Sequence, residues 1–201
     1  MARYLGPRAK KARRYNVALF GPCKALEKRP YPPGVHGEKS RRKQSDYAIA
    51  LAEKQKLRLM YGVTERQFRR YFASALKKRG VTGEVLLQLL ESRLDNIIHR
   101  LGFATTRFGA RQMITHGHVQ VNGRRTTTPS FGTRPGDLVE VRDQPQSRKL
   151  ALRNLEAMQA ARIPDWLVLE KEKLRGEVKR LPSKDELRPI ANEQLVVEFY
   201  S

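Results

Sequence analysis

The rhythm of apolar and polar positions changes along the chain. The first 45 residues carry no apolar period, and from Ser45 the spacing becomes helical. It predicts a first helix over about Asp46 to Met60, whose charged middle, Glu53 to Lys56, blurs the buried face. Thr64 followed by Gln67 forms a capping box, after which Phe68, Tyr71, Phe72, Ala75 and Leu76 recur at spacings of three and four until Gly80. A third helical stretch starts near Thr82 and carries Leu86, Leu89, Leu90, Leu94, Ile97, Ile98 and Leu101 as far as Gly102. Within it, Arg93-Leu94-Asp95 opens a segment of its own. Thr106 caps a further helix, Arg107 to His116, with Met113 and Ile114 inward and Arg107 and Arg111 sharing another face; Gly117 closes it.

The period then drops to two. Val119 and Val121 alternate with polar residues, and Asn122-Gly123 supplies the two positive φ angles of a type I′ hairpin turn, so a strand returns through Arg124 to Thr128. Pro135-Gly136-Asp137 makes another turn before a strand at Leu138 to Val141. A helix from about Ser147 to Ala161, ended by Pro164, follows. Gly176 to Leu181 reads as a strand, Ser183 with Glu186 as a second capping box, and Leu195 to Tyr200 as a final strand. The elements predict an α+β protein.

Charge changes this picture most. Across 201 residues, 41 Lys and Arg face 20 Asp and Glu, for a formal net charge of +21. A field of that size attracts polyanions: nucleic acid, an anionic membrane surface or an acidic protein. A membrane-surface role requires a basic amphipathic helix with Trp or Phe opposite, whereas the one tryptophan, Trp166, sits beside Pro164 and Asp165. No apolar run approaches the roughly 20 residues that span a bilayer, and the run Val17 to Phe20 is too short for a signal-peptide core. A cytoplasmic location is expected. The basic stretch 1 to 45 is interrupted by Pro7, Pro22, Pro30, Pro32 and Pro33 and predicts an extended or mobile arm. Tyr4, Tyr15, Phe20 and Tyr31, interleaved with its cations, suit stacking on bases or packing once phosphate is present.

Catalytic chemistry finds little support. His116 and His118 are close, but the next carboxylate is Asp137 and no cysteine is local, so a metal is not expected and contact with a base or phosphate from the turn is preferred. Asp95, near Arg93 and Arg100, reads as a structural ion pair. There is no GxxxxGK loop and no Ser-His-Asp constellation, so no catalytic residue and no cofactor are assigned. Cys23, the one cysteine, can form neither an internal disulfide nor a multi-thiolate zinc site. Two other readings are an RNA-modifying enzyme and a nucleic-acid-compacting protein. The first needs more chain; the second has no need of capped helices and a defined hairpin.

At Arg93-Leu94-Asp95, Ala110-Arg111-Gln112 and His118-Val119-Gln120-Val121-Asn122-Gly123 the sequence resembles the small RNA-binding fold named after ribosomal protein S-four. Met1 to Pro7, Pro33 to Gly37, Ser45-Asp46-Tyr47, Glu53 to Lys56, Tyr61-Gly62-Val63, Glu65 to Phe68, Ile190 to Glu193 and Val197 to Ser201 are similar to the bacterial or organellar small-subunit ribosomal protein family itself. The resemblance implies three parts. These are a basic RNA-binding arm over 1–45, a helical domain over 46–92 completed by 183–201, and an RNA-binding domain over 93–182 with its core motif at 93–155. In that last domain two helices would pack on a short antiparallel sheet.

The resemblance also implies partners: the 5′ domain of 16S ribosomal RNA, bound early to nucleate subunit assembly; a neighbouring small-subunit protein, S-five, at an interface affecting decoding accuracy; and messenger RNA at its entry channel. The ribosomal RNA contacts expected are Arg3, Lys10, Lys11, Arg13 and Arg14 in the arm, and Arg93, Arg107, Arg111, Gln112, His116, Asn122, Arg124 and Arg125 in the small fold. Lys39, Arg41, Arg42 and Lys43 match the channel cluster. Some relatives hold zinc with four cysteines in the arm; with Cys23 alone, none is expected here.

Overall fold

The computed structural model describes residues 4–39, 43–158, 163–187 and 191–200. In chain order its elements are α1 (Arg8–Tyr15), α2 (Lys24–Lys28), α3 (Asp46–Met60), α4 (Glu65–Leu76), α5 (Thr82–Glu91), α6 (Leu94–Arg100) and α7 (Arg107–Thr115). Then come β1 (Val119–Val121), β2 (Arg124–Arg125), β3 (Leu138–Val141), α8 (Pro145–Ala157), β4 (Leu167–Glu170), β5 (Arg175–Val178), α9 (Lys184–Leu187) and α10 (Glu193–Tyr200). The fold is α+β and divides into two compact units, Met1–Leu87 with Arg188–Ser201, and Gln88–Leu187.

In the first unit Ser45 caps α3 by accepting from Ala48 N, and Thr64 caps α4 by accepting from Gln67 N. α3 buries Ala50, Lys54, Leu57, Leu59 and Met60, which settles the face its charges obscured. α10 packs against α3. Its alternating apolar residues predict a strand, yet Leu195–Tyr200 is helical. Among the described residues of this unit no strand lies beside it to pair an extended backbone, whereas a helix satisfies itself and packs Phe199 and Tyr200 against the rings of Tyr47 and Phe72. The Tyr200 hydroxyl donates to Glu65 Oε1 at 2.8 Å, and the Lys54 ammonium, 2.9 Å from the same oxygen, sits 4.7 Å from the Phe199 ring centroid. Burial pushes the Tyr200 phenol pKa up, and the bond to Glu65 adds to it.

The arm carries two helices, α1 and α2, where its composition predicts an extended segment. Pro7 sits at the N-cap of α1, where its missing N–H costs nothing, and Asn16 ends the helix with φ 51°. Arg13 draws the segment together: its Nε lies 3.2 Å from the carbonyl oxygens of both Arg29 and Tyr31, and its guanidinium 5.0 Å from the Tyr31 ring centroid. Those carbonyls and the ring satisfy a cation that the extended reading leaves to solvent.

In the second unit an antiparallel sheet runs in the order β2-β1-β3-β5-β4. Val119 pairs with Val141 and Val121 with Val139, so the buried valines of β1 and β3 share one face. They join Leu94, Ile97, Ile98, Phe103, Met113, Ile114 and Trp166 in one core. As the segment opened by Arg93-Leu94-Asp95 suggests, the stretch from Thr82 to Leu101 divides at Ser92-Arg93: Thr133 N donates to Ser92 O and Leu94 N to Phe131 O, diverting the backbone from helix. Several other boundaries differ from the sequence reading. The return strand is only Arg124–Arg125. β4 is not foreseen by the period, and β5 begins one residue earlier and ends at Val178. α8 starts at Pro145, a first-turn proline, and ends at Ala157; the expected extension to Ala161 reaches residues outside those described.

Candidate nucleic-acid interface

α7 and the β1–β2 hairpin form a rigid corner. Thr106 Oγ1 accepts from Gly109 N at 3.0 Å to start α7. At the other end Gly117 N donates to Ile114 O and His118 N to Met113 O, the paired bonds of a Schellman motif, which Gly117 permits with φ 77°. The chain therefore leaves the helix straight into β1. Asn122 and Gly123, at φ 50° and 76°, make the expected hairpin turn.

The predicted contact residues fall into two groups. Arg124 and Arg125 on β2, Gln112 on α7 and His116 at its C-cap are exposed. Arg125 lies across Gly117, in the space a Cβ there would occupy. Arg142 Nη1 reaches the Gly117 carbonyl at 3.4 Å. His118 stands beside them with Nδ1 2.8 Å from Ser147 Oγ. Its imidazole is held below the usual value by burial first, then by the positive charges of His116, Arg142 and Arg125. Arg142 was missed from sequence; the signal was the register that sets Val141 opposite Val119, bringing Arg142 N to His118 O.

The second group holds the corner together. Arg93 is 1% exposed, and its Nε and Nη2 donate to Asp95 at 3.0 and 2.6 Å. Arg111, with its side chain 8% exposed, places Nε 3.1 Å from Asp95 Oδ2, the oxygen that Arg93 Nη2 also approaches. Arg107 is half-buried and donates through Nε to Asn96 Oδ1 at 2.8 Å, while Asn96 and Arg100 close on buried Glu91. The Asn122 amide is also committed: its nitrogen donates to Asp137 and its oxygen accepts from Leu138 N, both at 2.9 Å. Arg93, expected to face RNA, is enclosed where a phosphate cannot reach it. Its charge pairs with Asp95 at the start of α6, and Arg111 joins that carboxylate from α7. The Asp95 ion pair that the sequence suggests is present, with Arg111 rather than Arg100 as the second arginine.

In the first unit Lys10 and Arg14 are exposed on α1 and Lys11 is half-buried, while Arg13 is spent on the carbonyls above. Lys11, Arg14 and Tyr15 border an open cavity of about 530 Å³ with Gln55 and Arg58 of α3. Arg66, Arg69 and Arg70 stand exposed along α4. Lys39 and Lys43 are exposed; Arg3, Arg41 and Arg42 lie outside the described residues. Among the described residues no group of three or more His, Cys, Asp or Glu side chains is placed to hold a metal, and no helix is long and apolar enough to cross a membrane.

The family described as Ribosomal protein S4/S9 N-terminal domain matches residues 3–91, and the S4 domain matches residues 92–139. Curated relatives align along their whole length. A protein named small ribosomal subunit protein uS4 from Akkermansia muciniphila is 57% identical over 202 residues, covering 100% of both chains. The uS4 of Thermus thermophilus is 51% identical over 208 residues, again covering 100% of both. That of Opitutus terrae is 51% identical, covering 100% of this chain and 99% of its own. Both matched domains lie in order on one chain and full-length identity exceeds half, so this chain belongs to the uS4 family of small-subunit ribosomal proteins.

Proposed function

We propose that the chain is a non-catalytic structural constituent of the small ribosomal subunit, in the cytoplasm, that binds the 5′ domain of 16S ribosomal RNA and nucleates subunit assembly. The observation that carries this reading is the corner of α7 and the hairpin. It presents Arg124, Arg125, Gln112 and His116 outward on backbone locked by a Schellman motif, a type I′ turn and a buried Arg–Asp–Arg group. A-form RNA hides its base edges in a deep groove, so a folded junction is selected by cations held at fixed positions against its phosphates. Backbone fixed by these caps and turns reduces the ordering entropy lost on binding. Lys10, Lys11 and Arg14 of the arm add to the field, and the chain's +21 charge draws the polyanion in.

Three finer roles complete the proposal. The arm over 1–45 lies along RNA. Lys39, Arg41, Arg42 and Lys43 border the messenger entry channel. A surface of the protein meets the neighbouring small-subunit protein S-five and affects decoding accuracy. The test is binding to a 16S 5′-domain transcript against equal-length duplex RNA and duplex DNA over a salt series. Neutralising about six phosphates gives log affinity a slope of roughly −5 against log salt, and preference for the transcript persists as salt rises. Equal affinity for all three polyanions refutes the reading.

A further inference from the structure

We infer that the cavity between α7 and α8 receives a single nucleobase extruded from the bound RNA; the inference rests on the RNA-binding reading above. The cavity holds about 230 Å³. That is below the roughly 300–1,000 Å³ of pockets for drug-sized ligands, and suits one planar heterocycle rather than a whole nucleotide. Ala104, Met113 and Leu150 give it apolar walls, while Gln112, His118 and Asn154 bring polar atoms to its lining.

Each polar group is arranged to read a base edge. His118 has Nδ1 taken by buried Ser147, which fixes the ring and leaves Nε2 for a ligand. Asn154 donates its amide nitrogen to Phe103 O at 2.8 Å and so keeps Oδ1 as an acceptor. The exposed Gln112 amide offers both a donor and an acceptor, the pair that matches the edge of an unpaired base. His116 and His118, with ring centroids 6.1 Å apart, supply faces on which a base can stack.

Charge selects nucleic acid as the occupant over an apolar ligand. Arg125 across Gly117 and Arg142 on the Gly117 carbonyl flank His118. Phosphates on either side of an extruded nucleotide would meet these guanidiniums while the base enters the cavity. The corner would then combine backbone recognition with one local base contact.

The experiment uses the full chain with the 16S 5′-domain transcript, probed by dimethyl sulfate and a carbodiimide, which together report the Watson–Crick edges of all four bases. One unpaired base, reactive in free RNA, is expected to become protected by the wild-type protein. Gln112→Leu and Leu150→Trp, the second filling the cavity from an exposed helix position, should each lose that one protection. Each should also weaken binding about tenfold, the usual scale of one stacked or paired base, with the salt slope unchanged. Arg125→Ala should do the converse, lowering the slope and keeping the protection. Wild-type affinity and an unaltered protection pattern in both cavity variants overturn the inference while leaving the ribosomal reading intact. A wild-type protein that does not select the transcript overturns both.

Discussion

Asp95 is the most exacting test of how the corner is held. Its carboxylate is 2% exposed and lies between Arg93 and Arg111, whose side chains are 1% and 8% exposed. Asp95→Asn keeps the shape and removes the charge, leaving two enclosed guanidinium groups without their shared counter-ion. Breaking a buried pair in this way costs about 3–5 kcal/mol, a large part of the roughly 5–15 kcal/mol that holds a domain folded. Trp166 is the chain's single tryptophan and belongs to the core of the same unit, so its fluorescence reports that unit directly. With a urea dependence of about 1–3 kcal/mol per M, the unfolding midpoint should fall by about 1–5 M. The triple variant R93M/D95L/R111M, which replaces all three charges by apolar groups of similar bulk, should recover most of that loss. A D95N midpoint within about 0.3 M of wild type refutes the argument that this carboxylate organises the corner.

Three further outcomes follow from the geometry. R124A and R125A should each reduce the salt slope of transcript binding by about one unit, seen in filter binding from low to moderate salt; slopes equal to wild type would remove β2 from the phosphate interface. Glu186 is held at about 2 by hydrogen bonds from Arg180, then from Ser183 N. The folded value lies below the ordinary one, so the pair's contribution is present above about pH 4.5 and is lost as pH falls toward 2. In Arg180→Ala the Glu186 carboxyl should titrate closer to the ordinary carboxylate value, read by carbon-13 NMR, and an unmoved titration contradicts Arg180 as the cause. Tyr200→Phe removes the 2.8 Å bond to Glu65, and amide exchange across α10 should quicken by about five- to tenfold, for roughly 1–1.4 kcal/mol; unchanged exchange would show that α10 is held by packing alone.

Much of the local structure was legible because it is set by neighbours in sequence. Ser45 and Thr64 cap their helices from three residues away, and Asn122-Gly123 supplies the turn's backbone angles without help from the rest of the chain. The limits of α3 and β3 follow from the same kind of local signal. The charge of +21, the Asn122-Gly123 hairpin and the capped helices point by themselves to a folded nucleic-acid binder. The matched domains place it in its family.

What only the tertiary structure decided is where each charge and each apolar stripe finds its partner. Arg93 and Arg124 are alike in sequence, yet one is enclosed by Asp95 and the other stands on an exposed strand. No local pattern distinguishes them, since burial is set by chain that returns from elsewhere: Phe131 and Thr133 beside Ser92-Arg93, and Ser147 beside His118. The same reason turns Leu195–Tyr200 into a helix. Apolar alternation fits a strand only where a neighbouring strand takes up its backbone bonds, and here the surface it meets is α3. Sequence determined the turns, the caps and the sign of the field; long-range packing decided which cations face outward and which hold the frame.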